Sequence, residues 1–237
     1  MSKKLVIAID GPAGAGKSTV GRQLARMLGY AYIDTGVMYR GVAWAALKRQ
    51  VVPDTAEKVQ QLFQTLDLEF YSRDYEFRFK AKGEDVTAQL RSPEVSQFSS
   101  AYSALPAVRL YLTEIQRQMG DKGGVVMDGR DIGTVVFPQA DCKFFLDADA
   151  GERGRRRQAE LVQSGNGIDL KSTVEQINHR DRQDSRRQLA PLKRAEDAVY
   201  IDHYMRGDWE RTSLYNLVIE RSSCNSRQLL SLHPGRE

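Results

Sequence analysis

Cysteine, histidine and long apolar runs are all scarce in this chain. Its 237 residues include two cysteines, Cys142 and Cys224, with no C-x-x-C pair and no histidine at ligand spacing. That excludes a disulfide framework and a zinc site, and leaves both as inert thiols. The three histidines, His179, His203 and His233, are scattered, and none is assigned a catalytic role. No apolar run approaches the ~20 residues of a membrane span. The first ten residues carry only a short apolar run that continues into a glycine-rich loop, not the charged-then-apolar pattern of a signal peptide. A cytoplasmic chain with no membrane partner is expected. Repeats, low-complexity tracts and the N-K-x-D guanine-reading motif are also missing, and the last absence disfavours signalling GTPases.

What is present describes an ordinary globular chain, with 41% hydrophobic and 28% charged residues. The length suits a single domain over residues 1–237, or a core with insertions. The formal charge of +4 is mild but unevenly placed. Arginines cluster at Arg153, Arg155, Arg156 and Arg157, and again at Arg180, Arg182, Arg186 and Arg187. Acids are interleaved (Glu152, Asp181, Asp184) and no aromatic stacking platforms alternate with them. Phosphate clamps or solvated helix faces are therefore expected, with no nucleic-acid partner.

The strongest motif lies near the start. Leu5-Val6-Ile7-Ala8-Ile9-Asp10 runs into Gly11-Pro12-Ala13-Gly14-Ala15-Gly16-Lys17-Ser18-Thr19, followed by a helix-forming stretch. This is the G-x-x-x-x-G-K-[ST] phosphate loop between a strand and a helix. Its glycines let backbone N–H groups turn inward around a polyphosphate, and the helix adds its positive end. Lys17 should reach the β- and γ-phosphates of the bound polyphosphate, and the Ser18 hydroxyl should bind Mg²⁺.

Core strands are expected at Leu5–Ile9, Ala31–Asp34, Val125–Asp128, Lys143–Leu146 and a fifth position. Val199–Asp202 is favoured for the fifth over Tyr215–Ile219. Helices are expected at Ser18–Leu28 (core face Val20, Leu24, Met27, Leu28), Met38–Arg49, Pro106–Gln118, Ala150–Gln163, Ser172–Ser185 and part of Asp208–Ser222. Ser164-Gly165-Asn166-Gly167 reads as a loop. Period-2 alternation at Leu66, Leu68, Phe70 and then Phe77, Phe79, Ala81 predicts an antiparallel hairpin, with Asp85–Leu90 as a third strand. The fold class is therefore α/β: a P-loop NTPase-type five-stranded parallel sheet flanked by helices, carrying a small antiparallel β insertion. The insertion spans about 59–91 and an Arg-rich lid about 153–187, leaving a core of 1–58, 92–152 and 188–237.

Gly123–Asp128 is an apolar strand ending in an aspartate of the kind that orders Mg²⁺. It is followed by Gly129-Arg130-Asp131, whereas water-activating ATPases commonly carry a glutamate there. Asp34-Thr35-Gly36 ends the second strand and opens a helix bearing Tyr39 and Arg40. Thr35 reads as a helix N-cap or, facing the same cleft, as a partner with Arg40 for an acceptor phosphate. The arginines fit such a reaction. At ~4 Å and an effective dielectric of ~20, each pair of like charges costs about 4 kcal/mol, so two polyanions need several fixed guanidiniums between them. An acceptor phosphate is already an anion and needs no general base.

These segments resemble the bacterial cytidylate kinases. The resemblance rests on Gly11–Thr19, Asp34-Thr35-Gly36 with Tyr39-Arg40, the run Asp128-Gly129-Arg130-Asp131-Ile132-Gly133-Thr134-Val135-Val136-Phe137-Pro138, and Arg180–Arg187 with Ala190-Pro191-Leu192. It spans about residues 4–202. It implies an ATP-dependent CMP and dCMP kinase, monomeric, with the β insertion as monophosphate-binding domain. Carried onto this chain, Ser100, Arg109 and Asp131 meet cytosine with Arg187 helping, and Thr35, Arg40 and Arg130 meet the CMP phosphate. Arg180 and Asp184 contact the acceptor's sugar or phosphate. The resemblance assigns the ATP side to Gly11–Thr19 with Arg153 and Arg157, Mg²⁺ to Ser18 and Asp128, and transfer to Lys17, Arg130, Arg180 and Asp128. An Asp can accept from cytosine's amine while an Arg donates to its carbonyl, a pairing uracil does not satisfy.

Other readings of the residues stay open at this level. Ser100 and Arg109 also read as helix-surface residues, Asp184 as a mere salt-bridge partner of Arg180 or Arg187, and Tyr39 and Trp44 as core packing. A kinase of the same fold acting on UMP, AMP, shikimate or gluconate is the nearest rival. A nucleotide-regulated RNA-binding protein is the other. The stretch after Asp202, with His203-Tyr204 and Trp209, departs from the family pattern.

Overall fold

The core strands read as apolar runs because both faces of their sheet are covered. The computed structural model describes residues 4–202 apart from 164, 166 and 168. The chain order is β1 (Val6–Asp10), α1 (Lys17–Leu28), β2 (Ala31–Asp34), α2 (Thr35–Arg49), α3 (Ala56–Leu66), β3 (Leu68–Arg73), β4 (Glu76–Ala81) and β5 (Glu84–Asp85). It continues with α4 (Pro93–Tyr102), α5 (Pro106–Gly120), β6 (Val125–Gly129), β7 (Cys142–Asp147), α6 (Ala150–Gln163), α7 (Leu170–Arg186) and β8 (Val199–Asp202). Five of the strands form a parallel sheet in the order β2-β6-β1-β7-β8. The central strand, β1, buries Ile7, Ala8 and Ile9 completely. All five expected strands lie within a residue of their expected bounds. Val199–Asp202 is the fifth, pairing Val199 with Phe144. Tyr215–Ile219, the helix within Asp208–Ser222, Cys224, and residues 164 and 166 of the expected loop lie outside the described residues.

In α1, Val20 and Leu24 are buried as expected, whereas Met27 in the last turn is exposed. Helix α2 begins three residues earlier than the apolar pattern indicates. Asp34, not Thr35, is its N-cap, accepting from the Val37 N–H at 3.1 Å. Thr35 is thus the first helical residue, with its hydroxyl free for another partner. Tyr39 and Trp44 are both buried, as core packing requires.

The hairpin is present, with Leu68 opposite Ala81 and Phe70 opposite Phe79, but Leu66, expected to alternate with them, is the last residue of the preceding helix. The expected third strand over Asp85–Leu90 is not. The ladder stops after the two-residue β5, and Thr87–Arg91 forms a 3₁₀ turn. Asp85 accepts from the Thr87 N–H at 2.9 Å, and the Thr87 hydroxyl accepts from the Phe79 N–H at 2.9 Å. The Val86 N–H still bonds the Phe79 carbonyl at 3.0 Å, but the Phe79 N–H goes to the Thr87 side chain, so the ladder ends there and Leu90 is buried. Two helices went unread. Helix α3, capped by Thr55, buries Val59, Leu62 and Leu66 at helical spacing, and α4 is capped by Ser92.

The small sheet packs on α2 through Phe79, whose ring lies 6.1 Å edge-on from Trp44 and 5.1 Å from Phe70. A Cβ on Gly41 would come within 2.9 Å of the Phe79 ring, so a glycine on α2 admits it. Trp44 also donates to Gln89 at 3.0 Å. Phe79→Ala should cost about 3–5 kcal/mol in urea unfolding; a loss under ~1 kcal/mol would show that α2 and the hairpin are held by other contacts.

Candidate active site at the carboxyl ends of the strands

The phosphate loop joins β1 to α1. Gly14 and Gly16 adopt positive φ values of 76° and 89°, a conformation that costs other residues strain. Gly16 is also the N-cap of α1, and it brings no side chain to that helix end. The first-turn N–H groups of a helix have no intrahelical partner, which makes this end an anion seat. Lys17 is buried and its Nζ donates to the Pro12 carbonyl at 2.6 Å, curling over the loop. Burial and then the nearby Arg130 charge push its pKa down.

Asp128 is the last residue but one of β6, the strand next to β1. Its carboxylate accepts from the Ser18 hydroxyl at 3.1 Å and from the Tyr32 hydroxyl at 2.7 Å. Burial, reinforced by the neighbouring Asp34 charge, raises its pKa. Thr35 donates to the Asp128 carbonyl at 2.8 Å, which its place inside α2 permits. Ser18 and Asp128 form a pair of hard oxygen donors, the kind Mg²⁺ uses together with substrate phosphates. Among the described residues, no cluster of three or more His, Cys, Asp or Glu forms a metal cage of its own.

A second cluster is built from α2, α5, α7 and the turn after β6. Arg109 pairs with Asp131 at 2.9 Å, both nearly fully buried, and donates to the Tyr39 hydroxyl at 3.2 Å. Burial raises the Asp131 pKa against the pull of Arg109 and Arg187. Arg130 meets Asp184 at 3.1 Å, and Arg187 meets the same carboxylate at 3.2 Å. Burial opposes that charge, yet Arg130, Arg187 and Arg180 together hold the Asp184 carboxyl below the usual carboxylate range. Arg180 has a buried Nε with no hydrogen-bond partner. Burial, then Arg130, pushes its pKa down to about 10, with Arg40 and Arg157 acting in the same direction. Arg40 leans on Asp34 at 3.5 Å. Cations outnumber acids here, and their shared surroundings suit a second anion.

A family model described as "Cytidylate kinase" matches residues 7–208. The chain belongs to the cytidylate kinase family. The cytidylate kinase of Syntrophotalea carbinolica is 50% identical over 202 residues, 85% of this chain and 86% of that one. That of Geobacter sulfurreducens is 50% identical over 198 residues, 84% of this chain and 85% of that one. A bifunctional pantoate ligase/cytidylate kinase of Synechococcus sp. (strain JA-3-3Ab) is 45% identical over 227 residues, 93% of this chain and 42% of that protein.

Within this cytidylate kinase family fold, most of the expected site residues fall into two groups. Lys17, Ser18, Asp128 and Thr35 meet around the phosphate loop, while Arg109, Asp131, Arg130, Arg180, Asp184 and Arg187 gather around the second cluster. Ser100 lies at the rim, donating to Gln183 at 3.1 Å, while the nearby Ser103 meets Arg187 at 3.4 Å. Arg153 is buried beneath the loop, donating to the Ala13 and Ala148 carbonyls at 2.9 Å each and pairing with Asp181. Arg157 pairs with Glu160 at 3.0 Å.

Sequence reasoning missed three participants. Tyr32 supports Asp128, and Asp181 accepts from the Ala13 N–H at 3.1 Å. Asp10 accepts from the Ile132 and Gly133 N–H groups at 2.8 Å each. Burial pushes the Asp10 carboxyl up to about 7 against those two bonds. The signal for Asp10 was visible, since it closes an apolar run just as Asp128 does. Arg109→Ala would leave Asp131 buried without its cation and should cost about 3–5 kcal/mol in urea unfolding; unchanged stability would mean that water or Arg187 already balances that carboxylate.

Proposed function

We propose that the chain transfers the γ-phosphoryl group of ATP to CMP or dCMP, giving ADP and CDP or dCDP. The observation that carries this reading is the meeting of two anion sites. Strand register sets Asp10, which leads into the phosphate loop, beside Gly129, which leads into Arg130 and Asp131 of the second cluster. One site without the other would suit a hydrolase or a switch. Gly11–Thr19 hold the donor polyphosphate through backbone N–H groups, and Lys17 neutralises its β- and γ-oxygens. Contact with those anions favours the charged ammonium, offsetting the burial that lowers its pKa.

Thr35, Arg40 and Arg130 hold the acceptor phosphate, and Arg180 and Asp184 orient its sugar and phosphate. Asp131 accepts from the exocyclic amine of cytosine while Arg109, with Arg187 and Ser100, donates to its carbonyl and ring nitrogen. The acceptor oxygen is already anionic, so the protein's work is alignment and charge stabilisation. Arg130 and Arg180 stand where negative charge is shared between the two substrates. Mg²⁺, held by Ser18 and Asp128, would supply further neutralisation of the β- and γ-phosphates.

Arg153 and Arg157 belong to the donor side. Arg153 acts there by holding the Ala13 carbonyl, and Arg157 adds charge near Arg180. Residues 1–237 work as one domain. The region of about 59–91 serves as monophosphate-binding insertion and about 153–187 as a lid that excludes water from the γ-phosphate. No helix of the described residues is long and apolar enough to cross a membrane. A cytoplasmic monomer acting on small nucleotides alone, with no nucleic-acid or membrane partner, is in keeping with this reading.

ADP release from Mg-ATP, measured against CMP, dCMP, UMP, AMP, shikimate and gluconate, tests the proposal. Strong turnover with CMP and dCMP and weak turnover with the others is expected; equal rates with all acceptors, or none, would sink it. Lys17→Ala should lower kcat by on the order of 10²–10³-fold, the scale of removing one preorganised charge donor. Its circular dichroism should be unchanged. Near-normal turnover in that variant would remove Lys17 from the transfer step.

A further inference from the structure

We infer that Asp10 is a positioning residue that sets the acceptor-reading turn against the phosphate loop. The inference rests on the reading of Asp131 as the residue that recognises cytosine. Asp10 is the last residue of β1, directly before Gly11, and only 4% exposed. Both of its oxygens are engaged. Oδ1 accepts from the Ile132 N–H and Oδ2 from the Gly133 N–H, each at 2.8 Å. Those two groups open the single π-helical turn Ile132–Val136, where N–H groups have no partner within the turn. Ile132 is fully buried, so water does not replace the carboxylate there.

The consequence falls on the two residues just before this turn. Asp131 has a non-helical backbone (φ −145°, ψ 20°) and its side chain is held by Arg109. It is therefore fixed at two points, by Arg109 through its carboxylate and by Asp10 through the amides that follow it. Arg130, one residue earlier, hangs from the same turn. Parallel pairing already places Asp10 beside Gly129, so the strand register and the carboxylate act on one short segment. Space is tight as well, since a Cβ on Gly133 would lie 3.4 Å from Asp10 Oδ2 and 3.1 Å from Lys143. One buried carboxylate thus spans the donor loop and the acceptor-reading turn.

Asp10→Asn supplies one acceptor and one donor group to two N–H donors, leaving one of them unpaired. Amide exchange followed by mass spectrometry, without substrate, should show faster exchange over residues 129–136 in this variant. The kcat/KM ratio of CMP over UMP should fall about tenfold, the scale of one lost buried hydrogen bond. The KM for ATP should change less than that for CMP. Asp131→Ala is the control for the reading beneath it. A variant with normal exchange would overturn the inference. So would faster exchange with an unchanged ratio while Asp131→Ala does change it, because Asp10 would then serve folding alone. If Asp131→Ala leaves the ratio unchanged, the reading of Asp131 falls, and the inference with it. Should Asp10→Asn not fold, Asp10→Glu, which keeps the charge but is one methylene longer, is expected to lower the same ratio. Normal exchange and selectivity in that variant would refute the role.

Discussion

Charge buried at the carboxyl ends of β1, β2 and β6 is the constraint on which the site depends. Asp10, Asp128, Asp131, Lys17, Arg109 and Asp184 are all nearly inaccessible to water. An isolated ion in such a place is costly, so each must find a partner with good geometry. The partners that result are Ile132 and Gly133 for Asp10, Ser18 and Tyr32 for Asp128, and Arg109 for Asp131. Every one of these links joins segments far apart in the chain. The same bonds that stabilise the fold therefore hold the two halves of the site in register.

The arginine cluster around Asp184 shows how a cationic site can exist before an anion arrives. Asp184 takes Arg130 on one oxygen and Arg187 on the other, and the charge of Arg180 also acts on it. One carboxylate thus keeps several guanidiniums close without neutralising them all. Buried nitrogens of Arg109, Arg180 and Arg187 are left without a hydrogen-bond partner. A site prepared in this way need not reorganise when an anion enters, which is how preorganised electrostatics stabilises charge. Strapping Arg153 and Asp181 to the two backbone groups of Ala13 extends the same order to the phosphate loop.

Much of this is legible in the sequence. The phosphate loop and the five strands were read from apolar runs, glycine spacing and Lys-Ser, because those signals are local. Asp128, Arg130 and Asp131 could be grouped from their adjacency to a strand end. The third hairpin strand failed because Thr87 and Asp85 satisfy the neighbouring backbone groups with side chains, a choice that alternation does not reveal. Helices α3 and α4 were passed over although Thr55 and Ser92 are ordinary caps. Asp10, Tyr32 and Asp181 went unnoticed since each acts on a residue more than ninety positions away.

The sequence by itself determined the α/β class, the phosphate loop and the chemistry available to it, because strand, turn and helix-cap preferences act over a few neighbouring residues. Only the tertiary structure decided that Arg109 belongs to Asp131, that Asp184 gathers Arg130 and Arg187, and that Asp10 grips the turn beyond Asp131. Those pairings follow from sheet order and burial. Once β6 lies beside β1, water is excluded from their ends, and the charged side chains brought together there must satisfy one another.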